Sequence, residues 1–299
     1  MSKKKEESSM SDNTVLVTGA TGNTGLGVVA GLLTKGTRVR ALVRNPEKAK
    51  ELKSQGAELA IGDLDDVETL GKHLFDNVGT VYFCTWNGPT ALDHWKNFHN
   101  ALKSAGASPR IVHHSALGAP QSRIIQQLDA ADADLKSSSL TWTILRPTFY
   151  MQNTMMAAQS VKEQGAIYFD WGDGKAGMID VRDIIDSAIG AITATDGRFD
   201  GKSFVLTGPE SIGFAEVAAG IGKAIGKEVK YVPVPHEAAK QAMVGMGLPE
   251  WIADGYIELG EGFTNNFANR TTDGVETLAG HKPRSFDQFA RDFADVWRT

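Results

Sequence analysis

A single cysteine, Cys84, occurs in the 299 residues. An internal disulfide is therefore impossible, and with no metal-spaced partner the residue supports no Cys-based zinc site. A reducing compartment, the cytoplasm, is the expected location. No stretch approaches the roughly 20 apolar residues that span a bilayer, and no long run of Lys and Arg offers a grip on anionic lipid or nucleic acid. Neither a membrane nor a nucleic acid is expected as a partner. The segment Met1 to Asn13 begins with Lys3, Lys4 and Lys5 but lacks the apolar run of a secretory signal, so it reads as a solvated tail. Internal repeats are absent too.

What is present is the composition of a globular protein. Hydrophobic residues make up 41% of the chain, and 31 basic against 36 acidic side chains leave a formal net charge of −5. At roughly 150 residues per domain, the length fits two domains, or one large α/β domain with an appended part.

From Thr14 onward, short β-branched runs alternate with helical patterns, the sign of βαβ units and a parallel sheet. Strands are predicted at Val15 to Val17, Arg38 to Val43, Ala57 to Ile61, Thr80 to Cys84, Arg110 to His113 and Leu140 to Leu145. Helices are predicted over Leu26 to Leu33, from Pro46 towards Gly56, from Asp65 to Phe75, over Ala91 to Ala105 and over Ser122 to Ser137. Asp65 with Glu68 resembles a capping box for the third of these. The fold class is α/β, a Rossmann-type doubly wound sheet over 14–149, followed by a smaller α/β part over 150–299, some of whose elements return to the sheet. In that second part the pattern predicts helices over Met151 to Lys162, Val181 to Ile192 and Phe214 to Ile225, strands at Ile167 to Phe169, Ser203 to Leu206 and Val229 to Val232, and three final helical stretches.

Ligands of such sheets bind beyond the carboxyl ends of the strands, and the strongest motif lies there. Gly19, Gly22 and Gly25 sit at three-residue spacing between the first strand and the first helix. Gly19 suits a tight turn, Gly22 lets backbone N–H groups approach a pyrophosphate, and Gly25 lets the helix pack on the strand. At the end of the second strand, where an acid would hold the ribose hydroxyls of NAD, stands Arg44. A guanidinium there suits a 2′-phosphate, with Lys48 adding charge, so NADP(H) is expected in preference to NAD(H). Asp63, after the third strand, suits the adenine amino group, while Asp65 and Asp66 read as helix caps.

In this order, several stretches resemble the NmrA-like branch of the atypical short-chain dehydrogenases/reductases. They are V-T-G-A-T-G-N-T-G from Val17, A-L-V-R-N-P from Ala41, G-D-L-D-D from Gly62, V-H-H-S-A-L-G-A from Val112, W-T-I-L-R-P-T-F-Y-M-Q-N from Trp142, I-D-V-R-D-I from Ile179, L-T-G-P-E from Leu206 and L-A-G-H-K-P-R-S-F from Leu278. The resemblance implies a Rossmann domain binding NADP(H) and a smaller part that builds the substrate pocket. It also implies that Gly19, Thr21, Gly22, Asn23, Thr24 and Gly25 hold the pyrophosphate, Arg44 the 2′-phosphate, and Asp63 with Leu64 the adenine. Thr85, Trp86, Asn87, Ser115, Pro147, Thr148, Phe149 and Tyr150 would surround the nicotinamide and its ribose.

The family departs from classical short-chain dehydrogenases, which use a Tyr-x-x-x-Lys pair. None of Tyr82, Tyr150, Tyr168, Tyr231 or Tyr256 has a lysine four residues later. Where many relatives carry a lysine or histidine one turn ahead of an acid, this chain has Leu128 before Asp132. Ser115, His114 and Tyr150 are left as candidate catalytic donors, with His113 and His114 on opposite faces of their strand. His94 and His99 lie about 140° apart on a helix and share no face, so no metal is expected. Asp180 and Asp183 read as helix caps.

Large apolar residues crowd the second half. Phe149, Tyr150, Met151, Met155, Trp171, Met246 and Trp251, with Trp86, are candidates for lining a pocket for a flat aromatic ligand. The expected activity is NADPH-dependent reduction of a planar aromatic acceptor such as a quinone, a dye or a polycyclic ketone. The alternatives are a regulator that senses NADP(H) and acts through a protein partner, or an enzyme that tailors aromatic natural products.

Overall fold

The computed structural model describes residues 14–298; the expected tail, 1–13, lies outside the described residues. The first half alternates β1 (Thr14–Val17), α1 (Asn23–Thr34), β2 (Val39–Val43), α2 (Lys50–Ser54), β3 (Glu58–Ile61), β4 (Val78–Phe83), α3 (Ala91–Ala105), β5 (Arg110–His114), α4 (Arg123–Ser137) and β6 (Trp142–Pro147). The second half contains α5 (Ala158–Gln164), β7 (Ala166–Phe169), α6 (Val181–Thr193), β8 (Lys202–Leu206), α7 (Phe214–Ile225), β9 (Lys230–Pro233), α8 (His236–Gly245), α9 (Glu250–Thr264), α10 (Gly274–Ala279) and α11 (Phe286–Asp292).

Seven strands form one parallel sheet in the order β3-β2-β1-β4-β5-β6-β8, and β7 pairs with β9 in a separate two-stranded parallel sheet. The order reverses between β1 and β4, which opens a crevice at their carboxyl ends. This is the doubly wound Rossmann-type fold with a smaller C-terminal part. The second half completes the large sheet as well, because β8 extends it beyond β6 and α6 packs against α1.

Both faces of the sheet are covered, so its strands read as continuous apolar runs rather than alternating ones. On one face Val17, Tyr82, Val112 and Leu145 pack under α1 and α6. On the other, Leu16, Phe83, Ile111 and Ile144 pack under α3 and α4. A third core fills the C-terminal part, where Trp171 stacks on Phe263 at 3.9 Å and Phe169 on Phe214 at 4.0 Å.

Five local expectations are corrected. The segment Asp65 to Phe75 is not one helix but two 3₁₀ turns, Val67–Thr69 and Lys72–Phe75, separated by extended backbone at Gly71. Asp66, not Asp65, caps the first turn. The helix expected from Met151 starts as a 3₁₀ run, Met151–Ala157, with the Thr154 hydroxyl donating to the Met151 carbonyl, and becomes α-helical only from Ala158. Past β9 the described residues hold four α-helices rather than three helical stretches, because Gly280, at φ +77°, ends α10 well before α11 begins. Asp180 caps α6 as expected, whereas Asp183 is buried and accepts from both the backbone N–H and the guanidinium of Arg284. Asp183 thus fastens the C-terminal segment to the sheet's covering helix.

Trp171 is 2% exposed, and its ring is surrounded by Phe149, Phe169, Phe214 and Phe263. A Trp171→Ala variant should lose about 3–5 kcal/mol of stability by urea denaturation. A loss well under about 1 kcal/mol would mean that the ring faces a ligand cavity instead of closing a core.

Candidate active site

The crevice is built around one close contact. Gly19 has φ +60°, and a Cβ there would lie 2.9 Å from the Cys84 carbonyl oxygen. A Cβ on Gly25 would lie 2.1 Å from the Gly19 carbonyl oxygen, so the first turn of α1 rests directly on the loop leaving β1. The Thr18 hydroxyl donates to the Cys84 carbonyl at 2.7 Å and accepts from the Cys84 N–H at 2.8 Å, tying that loop to the end of β4. Gly22 stands at the N-cap of α1 with no side-chain cap, which leaves the helix's first N–H groups for an anionic ligand.

A cleft of about 560 Å³ opens here. Gly19, Thr21, Gly22 and Thr24 line it from the first loop, Arg44 from the end of β2, Asp63 and Leu64 from the end of β3, and Thr85 and Trp86 from the end of β4. Asn23 and Gly25 do not line it; Gly25 acts through the packing just described. Asn87 is exposed and is also absent from the cleft wall. The Asp63 backbone N–H donates to the Thr69 hydroxyl at 2.8 Å, and its carboxylate accepts from the Asp65 N–H at 3.1 Å.

Sequence reasoning missed His94, which lines the same cleft. Its Nδ1 lies 2.5 Å from the Thr85 hydroxyl and its Nε2 2.7 Å from an Asp65 carboxylate oxygen. The ring therefore bridges the loops that follow β3 and β4. A polar residue on the buried stripe of α3, with Ala91, Trp95, Phe98 and Leu102, is the signal that could have found it. His99 points to Asp134 at 2.9 Å instead, so the two imidazoles bind separate carboxylates.

Beside the cleft, β4, β5 and the chain after β6 assemble a buried polar chain. His114 Nδ1 lies 2.5 Å from the Tyr82 hydroxyl, and its Nε2 lies 2.8 Å from the Tyr150 hydroxyl. Burial, with His113 adding to it, pushes the His114 imidazole down to about 3 from its ordinary 6.5. Burial raises the Tyr82 and Tyr150 phenols above their ordinary range and the Cys84 thiol to about 11. All four groups are neutral near pH 7, and a neutral imidazole carries one donor and one acceptor nitrogen.

Ser115 belongs to a different group. Its hydroxyl donates to Asp132 at 3.1 Å on the α4 side of the sheet, and the residue is 1% exposed. Asp132 lies 2.9 Å from His113 Nδ1 and 3.1 Å from the Arg146 guanidinium, which also binds Asp129. His114 and Tyr150 are thus brought together, and Ser115 is not.

Several expected cofactor and pocket residues serve packing. Pro147 pairs in register with Leu206, and the buried Thr148 hydroxyl donates to the Gly177 carbonyl. Phe149 is edge-on to Trp171 at 4.7 Å, and Met151 is 1% exposed in the same core. Met155 is half-buried against that core. Trp86 is exposed at the cleft, while Met246 is exposed in the turn after α8 and Trp251 lies under the Arg123 guanidinium on α9. Among the described residues, Asp183, Asp186 and His281 are close enough to share an ion, but Arg284 pairs with both carboxylates.

A doubly wound sheet, a glycine turn under an uncapped helix N-terminus and an adjoining cleft define the class: a dinucleotide-binding oxidoreductase fold. The NmrA-like family profile matches residues 11–290, and the chain belongs to that family. It is 35% identical over 282 residues to an NAD(P)H azoreductase of Xenophilus azovorans, covering 94% of this chain and 98% of the relative. It is 29% identical over 250 residues to quinone oxidoreductase 2 of Escherichia coli, covering 80% of this chain and 84% of that one. The NADPH complex of the Escherichia coli quinone oxidoreductase QOR2 superposes with TM-score 0.84 at 25% identity, over 93% of this chain and 99% of that one. The NADP(H) complex of Citrobacter triphenylmethane reductase does so with TM-score 0.82 at 25% identity, over 94% and 99%. The chain has the NAD(P)H-binding oxidoreductase fold of these quinone and dye reductases.

The depressed imidazole has a thermodynamic consequence. The unfolded chain protonates His114 below about pH 6.5, but the folded one resists until about pH 3. This residue's contribution is complete above the unfolded value and is lost as pH falls between the two. Urea denaturation across that window should therefore show a shallower pH dependence for His114→Gln than for the parent protein. Parallel curves would mean that the imidazole protonates normally in the fold.

Proposed function

We propose that the protein reduces planar aromatic acceptors, azo compounds and quinones, with NADPH as the hydride source. The observation that carries the cofactor choice is Arg44. It stands at the end of β2, exposed on the wall of the cleft, with no acid at the position that would bind ribose hydroxyls. The residues present fit the dinucleotide. The uncapped N–H groups of α1 suit the diphosphate, the absence of Cβ atoms at Gly19 and Gly25 lets α1 pack close on the loop that lines the cleft, and Asp63, on the cleft wall, suits the adenine. We assign the acceptor end to Thr85 and Trp86 on the cleft wall.

Two considerations support an aromatic acceptor. Trp86 presents a half-exposed ring beside the cleft, a surface on which a flat ligand stacks. The relatives named above include an azoreductase, a quinone oxidoreductase and a triphenylmethane reductase. Bound NADPH supplies the hydride; the chain holds it, shields it and positions the acceptor. The chain does all this without the Tyr-x-x-x-Lys pair. Acceptors that are already electron-poor take hydride with little activation, so positioning accounts for much of the acceleration.

Anaerobic oxidation of NADPH, followed at the nicotinamide absorbance with a panel of azo dyes and quinones, tests the reading. Acceptor-dependent turnover is expected; tight NADPH binding with no turnover across the panel would refute it and favour a sensor. The cofactor choice has its own check. Arg44→Ala removes a charge-assisted contact worth about 1.5–3 kcal/mol, so calorimetry should show NADPH binding weakened about tenfold to about a hundredfold. NADH binding should barely change, and equal losses for the two would place the 2′-phosphate elsewhere.

A further inference from the structure

We propose that Tyr150, His114 and Tyr82 form a proton-delivery chain in which Tyr150 protonates the reduced acceptor and Tyr82, through His114, restores Tyr150. The inference rests on the reductase reading and assigns the proton donor that reading leaves open.

The geometry gives the chain a direction. Tyr82 is fully buried on β4, His114 is 6% exposed at the end of β5, and Tyr150 is half-buried in the segment after β6. Their polar atoms lie in series: Tyr82 hydroxyl, His114 Nδ1, His114 Nε2, Tyr150 hydroxyl. The inner end is Tyr82, whose hydroxyl meets His114 Nδ1, whereas the Thr24 hydroxyl on the cleft wall lies 3.9 Å from the Cys84 sulfur. If Nε2 carries the hydrogen, every donor points outwards. Tyr82 donates to Nδ1, and Nε2–H to the Tyr150 oxygen, which leaves the Tyr150 hydrogen free for an acceptor. Cys84, His113 and Tyr256 are the other titratable groups that bear on the three residues, and among the described residues none of them hydrogen bonds to the Tyr150 hydroxyl. A proton leaving Tyr150 must therefore be replaced along the chain. The lysine of a Tyr-x-x-x-Lys pair works differently, stabilising the phenolate by charge.

For an azo compound the balance is explicit. Hydride from NADPH adds to one nitrogen of N=N, the π bond breaks, and its electron pair takes the Tyr150 proton on the other nitrogen, giving a hydrazine and NADP⁺. Nε2–H of His114 then passes to the Tyr150 oxygen as the Tyr82 hydrogen passes to Nδ1, and once the product has left, a solvent proton taken up at Tyr150 runs back along the same bonds to restore Nε2–H and the Tyr82 hydroxyl. Hydride addition to a quinone leaves a phenolate, a far weaker base than a nitrogen anion, which can leave without waiting for this proton. Dependence on the chain is therefore greater for azo compounds than for quinones.

The test uses the full-length protein and two readouts. Imidazole ¹⁵N NMR of the cofactor-free protein reads the His114 tautomer; the Nε2–H form is expected, and the Nδ1–H form or a charged ring would overturn the outward chain. Stopped-flow oxidation of NADPH compares the parent with Tyr150→Phe and His114→Gln on an azo dye and on a quinone. The azo rate should fall by about a hundredfold or more in both variants. The quinone rate should fall much less, and calorimetric NADPH binding should be retained, which shows that the variants are folded. An unchanged azo rate in Tyr150→Phe, or equal losses on both acceptors, would overturn the chain while leaving the reductase reading intact. If the parent oxidises NADPH with neither acceptor, the reductase reading fails and the chain with it, whichever tautomer is found.

Discussion

The contact between Gly25 and the Gly19 carbonyl is the constraint on which the site depends. With room for no side chain at either position, α1 sits so close to the loop after β1 that its free N–H groups face the cleft. Thr18 then fixes the same loop to the end of β4, which ties together the two strands flanking the switch point. Cys84, Thr85 and Trp86 follow from that anchoring. So does Tyr82, two residues before Cys84, whose hydroxyl reaches His114 only while β4 and β5 keep their register.

The two faces of the sheet treat polar groups differently. On the α3 and α4 face, His113 and Ser115 meet Asp132 and, through it, Arg146, a cluster in which Ser115 and Arg146 share one carboxylate oxygen of Asp132 while the other lies 2.9 Å from His113 Nδ1 without a hydrogen bond. Charges buried in this way are kept by their partners, and removing one partner strands the other. On the α6 face, His114 and its tyrosines carry no charge. Desolvation there is strong enough to hold the imidazole neutral far below its ordinary range. Adjacent residues of one strand, His113 and His114, thus enter two kinds of chemistry because a strand alternates its faces.

Much of this was legible in the sequence. The helices Ala91–Ala105 and Phe214–Ile225 have the bounds their periodicity predicts, and the glycine spacing placed the cleft correctly at the end of β1. The sheet's seventh strand was readable as Ser203 to Leu206, but nothing local showed that it pairs with β6, since pairing is a long-range choice. The turns around Asp66 and Lys72 were misread because a capping pattern says nothing of what Gly71 does a turn later. The aromatic residues after β6 carried no sign of which face a core and which a ligand. Trp171 and Met151 turn inwards, whereas Trp86, which follows β4, lies in the cleft wall. Asp132 could have been found, as a carboxylate on the apolar stripe of α4 with Ile125, Leu128 and Leu135. Tyr82 could not, because a tyrosine inside a buried strand looks like any other core residue.

The most direct test of the whole account is a crystal structure of the protein with NADPH and a slowly reacting azo compound. The account predicts the diphosphate on the N-terminus of α1, the 2′-phosphate at Arg44, and the acceptor's nitrogens between the nicotinamide and the Tyr150 hydroxyl. A dinucleotide bound elsewhere, or an acceptor out of reach of Tyr150, would contradict it.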